Sequence, residues 1–319
     1  MSDPSRAAAR CLDAAKITDP QLRRDFETCR RLHVEHGRTY YLATALLPPA
    51  KRPYVWALYG FARFADELVD SLTKPEPRAL VAWGSEFLES LDAGRCSGDQ
   101  GGPVARAMLH TVWRWDIPRN HVEAFLASMR MDITETSYPT YADLARYMYG
   151  SAAVIGLQML PVLEPLHPDA ARHARLLGEA FQMSNFIRDV GEDLARGRTY
   201  LPTEDMTRFG VSRDDLMTGR RTGVVTPPVR DLLAFEIART RDMYALAAPG
   251  ISMLHPTSRD AIRCAFVLYG GILDAVERAG YRVLDRRVAV AVPRRLAVAV
   301  PALARARATR REQRRWHAA

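Results

Sequence analysis

Residues 181 to 202 read FQMSNFIRDVGEDLARGRTYLP, and the rest of the chain must support this stretch. Asp189 and Asp193 are four residues apart, so on a helix they lie on the same face, with Asn185 one turn earlier. Like charges at this spacing repel by about 0.2–0.5 kcal/mol, which calls for a cation nearby. The other positions are largely apolar and place the helix in a protein interior. A solvated acidic face is the alternative interpretation of a single such pair.

Another acidic pair, the first along the chain, lies in the segment YGFARFADELVD, residues 59 to 70. Asp66 and Asp70 are again four apart, and Arg63 precedes Asp66 by about one turn. An arginine also directly precedes the first acid of the central pair. Two acidic pairs in apolar helices indicate a shared cavity. Mg²⁺ is usually bound by one or two carboxylates plus substrate phosphates, so the pattern predicts a phosphorylated small molecule bridged to protein through metal.

The length and composition limit the class of protein. The 319 residues contain no composition break or long linker, which favours one large domain. The start, MSDPSRAAARCLDAAK, lacks the apolar region of a secretory signal, and no apolar run is long enough to span a bilayer. The four cysteines are scattered without a CxxC pair, so neither a zinc site nor a disulfide framework is indicated. These features predict a cytoplasmic location.

Apolar periodicity predicts an all-α bundle, because no convincing β pattern is present. The predicted helices cover residues 21–36, a segment after Pro53 that carries the first acidic pair, and residues 76–92, 103–115, 120–133, 141–160, 228–246 and 257–280. Pro161 is expected to end the helix over 141–160, whose small residues indicate close helix packing or an open channel. Residues 197–220 are expected to be irregular, as a lid over the metal site or an ordinary surface loop.

Positive charge is concentrated in the C-terminal part of the chain. Eleven arginines follow position 281, on both sides of and within the apolar segment VAVAVPRRLAVAVPALA, and the net charge of the chain is +8. Basic residues beside an apolar segment suit the inner face of a membrane with anionic lipid. A solvated C-terminus is the alternative, and nucleic acid is not predicted because no recognised motif accompanies the charge. We expect an extension over 1–20, a catalytic domain over 21–295 and a basic tail over 296–319.

Three segments, residues 36–70, 181–202 and 280–288, resemble the squalene and phytoene synthase family, and bacterial phytoene synthases most of all. The likeness runs from about Ile17 to Arg295, and the order RFADELVD, NFIRDVGEDLARGRTYLP, GYRVLDRRV is narrower than paired acids alone. The resemblance implies an isoprenoid-synthase-like helical bundle around a central cavity. It also implies a prenyltransferase of carotenoid biosynthesis that couples two geranylgeranyl diphosphates head to head, through prephytoene diphosphate, to phytoene.

The resemblance further implies which residues form the site. Metal ligands are implied at Asp66, Asp70, Asn185, Asp189 and Asp193. The four aspartates are implied as catalytic together with Tyr147, a candidate for proton transfer or for ordering the released diphosphate. Substrate contacts are implied at His36, Tyr59, Arg63, Gln182, Asn185, Arg188, Tyr269 and Arg287. The implied cofactor is Mg²⁺, with Mn²⁺ as an alternative, and no NADPH is expected for a phytoene synthase.

Several of these assignments have a plainer alternative. Without the resemblance, Tyr147 and Tyr269 are ordinary core residues, and His36 can serve a helix C-terminus. A presqualene-diphosphate or squalene synthase that uses farnesyl diphosphate also remains open, because the sequence does not reveal the pocket depth that sets chain length. A non-catalytic scaffold on the same fold should have lost one acidic pair, and both pairs are present.

Overall fold

The structure is a computed structural model that describes residues 4–70, 77–95 and 102–316. These residues form fifteen α-helices and short 3₁₀ and π segments, and the only β pairing among them is two isolated bridges. The helices are α1 (Pro4–Ala14), α2 (Pro20–His36), α3 (Arg38–Thr44), α4 (Arg52–Asp70), α5 (Pro77–Asp92), α6 (Gly102–Trp115), α7 (Arg119–Met131), α8 (Tyr141–Met148), α9 (Val154–Leu163), α10 (Ala170–Ala195), α11 (Thr203–Arg208), α12 (Arg213–Thr222), α13 (Pro227–Ala247), α14 (Pro256–Arg278) and α15 (Val292–Trp316). The prediction of an all-α fold is confirmed.

Prolines mark the beginning of several helices. The first residues of α1, α2, α5, α13 and α14 are Pro4, Pro20, Pro77, Pro227 and Pro256. At this position the backbone N–H has no intrahelical acceptor and the helical φ suits the proline ring, so proline costs nothing. Prolines that interrupt the apolar pattern of the sequence therefore separate helices. The predicted starts of α2, α5, α13 and α14 agree with the structure to within one residue, whereas α1 lies in the segment that was expected to be an extension.

The helix predicted over residues 141–160 is interrupted by a π-helical turn over Tyr149–Ala153 and then continues through Pro161. The prediction that Pro161 ends the helix is wrong. A proline removes the bond from its own N–H to the carbonyl of Leu157 and crowds that carbonyl, but here it lies in the last turn, where little helix remains to be disrupted. Glu164, with a φ of 56°, ends the helix by donating its N–H to the carbonyl of Pro161.

Residues 197–220, expected to be irregular, contain α11 and most of α12. α12 begins with a capping box, in which the Ser212 hydroxyl accepts from the N–H of Asp215 and the Asp215 carboxylate accepts from the N–H of Ser212. The expectation of irregular structure is wrong for these residues. Short polar helices lack the apolar period on which it depended.

Two buried apolar clusters meet at α10. One is built mainly from α1, α2, α4–α7 and α9, where Phe26 and Phe61 are fully buried. The other is built mainly from α8, α10, α13 and α14, where Ile187 and Leu233 are fully buried. α10 contacts α9 on one side and α13 and α14 on the other. The helix that carries the central acidic pair is therefore in the middle of the bundle.

Small residues around the π-helical turn allow close helix packing, as predicted. A Cβ added at Gly150 would meet the carbonyl oxygen of Ala124 on α7, and one added at Gly156 would meet the carbonyl oxygen of Ala174 on α10. These contacts leave no room for a side chain, so the backbones approach more closely than larger residues permit. This packing holds α9 against α10, and the π-helical turn against α7.

Both ends of the described chain pack on the bundle. α1 buries Cys11, and α15 buries Ala299, Ala302 and Ala306 against the first cluster. The expected start of a separate tail, at residue 296, falls inside α15. In the described ranges, no helix combines the length and the apolar character that crossing a bilayer demands.

The close contact at Gly156 gives a stability prediction. Gly156→Ala should lower the free energy of unfolding by about 1–3 kcal/mol, because the added methyl group meets a backbone carbonyl that cannot move aside. Gly270→Ala in α14 is the matched control, since its added Cβ has no neighbour closer than 4.0 Å. We expect it to be neutral or stabilising, as measured by urea unfolding. Equal destabilisation by both substitutions would contradict the packing argument.

Candidate active site

A cavity of about 700 Å³ lies between α2, α4, α10 and α14. Twelve of the thirteen site residues expected from the sequence line it: Asp66, Asp189, Asp193, Tyr147, His36, Tyr59, Arg63, Gln182, Asn185, Arg188, Tyr269 and Arg287. The thirteenth, Asp70, is the last residue of α4, and its side chain lies outside the described residues. The structure therefore brings the two acidic helices to one cavity.

On α4, Arg63 compensates the charge of the first acidic pair. Its guanidinium donates to Asp66 over 2.8 Å and to Glu67 over 2.6 Å. The Nε–H of Arg63 is buried and has no acceptor among the described residues. Buried donors of this kind are normally satisfied, so the Nε–H of Arg63 is an exception among the described residues.

On α10, two arginines compensate Asp189. Arg188 donates to both carboxylate oxygens, with its Nε 2.7 Å from Oδ1. Arg287 reaches the same carboxylate from the segment after α14, with its Nε 3.1 Å from Oδ1. The Arg188 and Asp189 side chains are largely buried, whereas Arg287 is 52 % exposed. These are the cations that the acidic ladder of the sequence required.

A backbone contact at Gly191 holds the segment that carries Arg287. The N–H of Gly191 donates to the carbonyl of Val283 over 3.2 Å. A Cβ added at Gly191 would meet the carbonyl oxygen of Leu284, so only glycine permits this approach. The position of Arg287 beside Asp189 is therefore set by the backbone of α10 itself.

Asn185 tests whether the cavity fits a metal ion. Its Oδ1 is buried and accepts no hydrogen bond from the described residues, which is rare in folded proteins. In the described ranges, no group of three or more His, Cys, Asp or Glu could hold an ion by itself. Mg²⁺ needs only one or two carboxylates when phosphate and water supply the other ligands. The donors present therefore fit a cation shared with a phosphate group.

The charges that line the cavity nearly cancel. Its described lining contains five acidic residues and four arginines: Glu35, Asp66, Asp132, Asp189, Asp193, Arg63, Arg188, Arg287 and Arg295. Arg63, Arg188 and Arg287 are already paired with carboxylates. A diphosphate group adds further negative charge, which this lining cannot offset. Divalent cations would supply the missing positive charge.

Aromatic and aliphatic side chains line another part of the cavity. Tyr269 on α14 stacks on Tyr40 with ring centroids 4.5 Å apart and contacts Phe181 at 4.7 Å. Burial raises the pKa of Tyr269 well above its usual value, and the neighbouring Tyr40 adds to this effect, so the phenol is neutral. Leu268 and Ile272 extend the surface along α14. Such a surface excludes water and offers π faces to a cation.

His33 lies directly behind the cavity residue Tyr59. The two rings stack with centroids 4.2 Å apart, and a Cβ added at Gly37 would collide with both of them. Both ring nitrogens of His33 are buried without a hydrogen-bond partner among the described residues. Burial lowers the pKa of His33 to about 3, so its ring is neutral.

A carboxylate that the sequence did not indicate, Asp132, also lines the cavity. The Tyr147 hydroxyl donates to its Oδ2 over 2.8 Å, and the Tyr200 hydroxyl donates to its Oδ1 over 3.2 Å. Arg198 donates to the backbone carbonyl of Asp132 over 2.9 Å. Burial raises the pKa of Tyr147 well above its usual value, and the charge of Asp132 adds to this effect. Two phenols of the cavity thus share one carboxylate.

Asp132, Tyr200 and Tyr40 are three of the cavity residues that sequence reasoning missed. Asp132 follows α7 directly, so no helical spacing connects it with either acidic pair. Tyr40 is one of two adjacent tyrosines, and the sequence does not indicate which of them faces the cavity. Of these three residues, Tyr200 alone could have been recognised from the sequence, because it belongs to the GRTYLP ending of the central stretch.

Comparison with known proteins finds similarity to one family along most of the chain. A family model described as squalene/phytoene synthase matches residues 33–294. The chain is 36% identical over 304 residues to a phytoene synthase of Arthrospira platensis, covering 90% of this chain and 96% of the relative. It is also 36% identical over 295 residues to a 15-cis-phytoene synthase of a Synechocystis strain, covering 88% of this chain and 85% of the relative.

Solved structures agree with this fold. A dehydrosqualene synthase in complex with a ligand matches with a TM-score of 0.80 and 28% identity, covering 88% of this chain and 96% of that one. A squalene synthase from Alicyclobacillus acidocaldarius matches with a TM-score of 0.74 and 29% identity, covering 84% of this chain and 98% of that one.

The buried neutral His33 gives a pH prediction. Since its pKa is lowered from 6.5 to about 3 in the folded state, the unfolded chain binds a proton that the folded chain does not. The free energy of unfolding should fall as pH drops below about 6.5, by up to about 1.4 kcal/mol per pH unit. His33→Phe should flatten this dependence in urea titrations between pH 7 and pH 5. His167→Phe, at a half-exposed position, should leave it unchanged; identical slopes for His33→Phe and wild type would contradict the assignment.

Proposed function

Because the chain belongs to the squalene/phytoene synthase family, we propose that it is a phytoene synthase. It would couple two geranylgeranyl diphosphates head to head to phytoene, through prephytoene diphosphate, and release two diphosphates. The observation that carries this proposal is the cavity at which both acidic helices meet. A scaffold has no use for Asp66, Asp189 and Asp193 converging on one cavity beside an aromatic surface.

The choice of the longer substrate rests on the named relatives. Proteins named phytoene synthase match at 33–36% identity over nearly the whole chain. The solved structures named dehydrosqualene or squalene synthase match at 28–29% identity. The preference for geranylgeranyl over farnesyl diphosphate therefore follows sequence similarity, and the substrate test below separates the two.

We propose Mg²⁺, with Mn²⁺ as an alternative, as the cofactor. The ligands would be Asp66, Asp70, Asn185, Asp189 and Asp193. When bound, the metal ions neutralise the charge that develops on the departing diphosphate and orient the leaving group. Support comes from the unpartnered Oδ1 of Asn185 and from the lack of excess positive charge in the cavity lining.

The remaining cavity residues would bind the diphosphate and protect the carbocation. Arg63 offers its unpartnered Nε–H, and Arg188 and Arg287 can share their guanidinium groups between Asp189 and phosphate oxygens. His36, Tyr59 and Gln182 line the same region. The stacked Tyr40 and Tyr269 would exclude water and stabilise positive charge on carbon.

We also propose that α15 contacts an anionic membrane at the cytoplasmic face of the cell. Val292, Leu296 and Val300 are 62%, 54% and 61% exposed and follow one another at helical spacing. The exposed Arg307 and Arg311 lie about three turns beyond Leu296 and Val300, on the same side of the helix. An apolar strip that continues into basic residues suits the boundary between acyl chains and anionic headgroups. Such contact would serve an enzyme whose product is a hydrocarbon.

The substrate test decides the reaction. Purified protein with Mg²⁺ should convert geranylgeranyl diphosphate to phytoene without NADPH. Products are identified by chromatography and mass spectrometry after incubation with geranylgeranyl or farnesyl diphosphate, with and without NADPH. Squalene formed from farnesyl diphosphate with NADPH would replace the proposed activity, and no product from either substrate would contradict it.

Asp66→Asn is the matched test of the acidic pair, because it removes charge without changing size. We expect a loss of turnover of at least about 100-fold, since charge stabilisation at the leaving group is a large part of such catalysis. Asp92→Asn removes a carboxylate that is exposed and paired with Arg119, and it should leave turnover unchanged. Wild-type turnover by Asp66→Asn would contradict the metal assignment.

Membrane contact is tested by sedimentation with lipid vesicles. The wild-type protein should sediment with vesicles of phosphatidylglycerol and phosphatidylcholine, and much less with phosphatidylcholine alone. Leu296→Asp should reduce this binding strongly, because it places a charge in the apolar strip. Leu246→Asp is the matched control at a similarly exposed leucine of α13, 56% exposed. Equal effects of the two substitutions would contradict the assignment to α15.

A further inference from the structure

Asp132 occupies a position that the proposed ligand set does not explain. It lines the cavity at the end of α7, and its carboxylate accepts hydrogen bonds from Tyr147 over 2.8 Å and from Tyr200 over 3.2 Å. The ring centroids of these two phenols are 5.7 Å apart, and Phe186 stacks on Tyr200 at 4.1 Å. The carboxylate and both hydroxyl groups are therefore fixed relative to each other and to α10.

The proposed reaction requires a proton acceptor at carbon. After the first diphosphate leaves, C1 of one chain bonds to C2 of the other, and a cation forms at C3. Closing the cyclopropane ring converts the C1–H electron pair into the C1–C3 bond and releases that proton. A base must lie beside this carbon, in a cavity closed to water.

Tyr147 alone is a poor base. Burial and the neighbouring carboxylate raise its pKa well above the usual value, so its oxygen carries a proton. That proton already points at Oδ2 of Asp132. The phenol oxygen can accept a second proton only if it gives up the first, and the hydrogen bond provides the direction in which the first can leave.

We propose that Asp132 is the proton acceptor and that it acts through Tyr147. This inference rests on the proposed function. The proton from C1 moves to the Tyr147 oxygen while the phenol proton moves to Oδ2 of Asp132. Tyr147 ends unchanged and Asp132 ends protonated. The proton then leaves with a released diphosphate or with water before the next turnover. Because Asp132 acts through another side chain, it is a positioning residue for Tyr147.

Tyr200 and Arg198 complete the arrangement. The Tyr200 hydroxyl donates to Oδ1 of Asp132, so that Oδ2 of the same carboxylate faces Tyr147. Arg198 holds the backbone carbonyl of Asp132 over 2.9 Å, and the N–H of Arg198 donates to the carbonyl of Asp193 over 2.9 Å. The position of the acceptor is thereby tied to the C-terminal end of α10, where the second acidic pair lies.

The test compares Asp132→Asn, Tyr147→Phe and their double variant, using geranylgeranyl diphosphate and its 1,1-dideuterated form. Asp132→Asn should lower kcat by about 10²–10⁴-fold with little change in KM, because only a proton-transfer step is lost. The deuterium isotope effect on kcat should rise above that of the wild type. The double variant should be no slower than the slower single variant, because the two groups act in one relay. Asp132→Glu, which keeps a carboxylate, should recover part of the rate.

Asp143→Asn is the matched control. Asp143 lies on the same helix as Tyr147 and also accepts from a hydroxyl group, that of Thr140, but it has no place in the relay. It should lower Tm slightly and leave kcat and the isotope effect unchanged. A merely structural Asp132 would behave in the same way, and that result would overturn the inference. Near-normal turnover by Asp132→Asn would assign the proton to diphosphate and also overturn it.

The wild-type measurement shows whether a failure concerns the proposed phytoene synthase activity or only the relay between Tyr147 and Asp132. Wild-type protein that forms no product from geranylgeranyl diphosphate contradicts the proposed function. Active wild-type protein with multiplicative losses in the double variant contradicts only the relay, because multiplicative losses mean that the two groups act independently.

Discussion

The main constraint on this structure is that negative charge inside an apolar helical bundle must be offset by nearby positive charge. α10 lies between two hydrophobic clusters and still carries Asp189 and Asp193 on one face. An unpaired carboxylate at such a depth would be protonated or would destabilise the fold. Arg188 and Arg287 prevent this by binding Asp189, and Arg63 pairs with the more exposed Asp66 on α4. These acid–arginine pairs offset the negative charge of the cavity lining.

The same pairing explains why the site suits a phosphate ligand better than a protein-only metal cage. Under the proposed function, a divalent cation would bind the carboxylates, and each arginine would then turn toward a phosphate oxygen. Asn185, whose Oδ1 has no donor among the described residues, is already arranged for this exchange.

The predictable parts of the fold are the helices whose apolar and acidic residues recur at helical spacing in the sequence. Acidic residues four apart in an apolar helix, and prolines at helix starts, can be recognised without coordinates. Asp132 could not be recognised, because its partners Tyr147 and Tyr200 come from distant parts of the chain. The π-helical turn before α9 could not be predicted either, since its backbone packs closely on α7 and α10, where a Cβ added at Gly150 or Gly178 would meet a carbonyl oxygen. Tertiary contacts, rather than local preference, decide these features.

The contact of Gly191 with the backbone of Leu284 has a consequence for how such a protein can diversify. It joins α10 to the segment that carries Arg287 through main-chain atoms, in addition to the ion pair between Arg287 and Asp189. Leu268 and Ile272, one turn apart on α14, belong to a different part of the cavity lining. Under the proposed function, substitutions in that apolar part would change which hydrocarbon fits, while the contact at Gly191 would keep Arg287 beside Asp189.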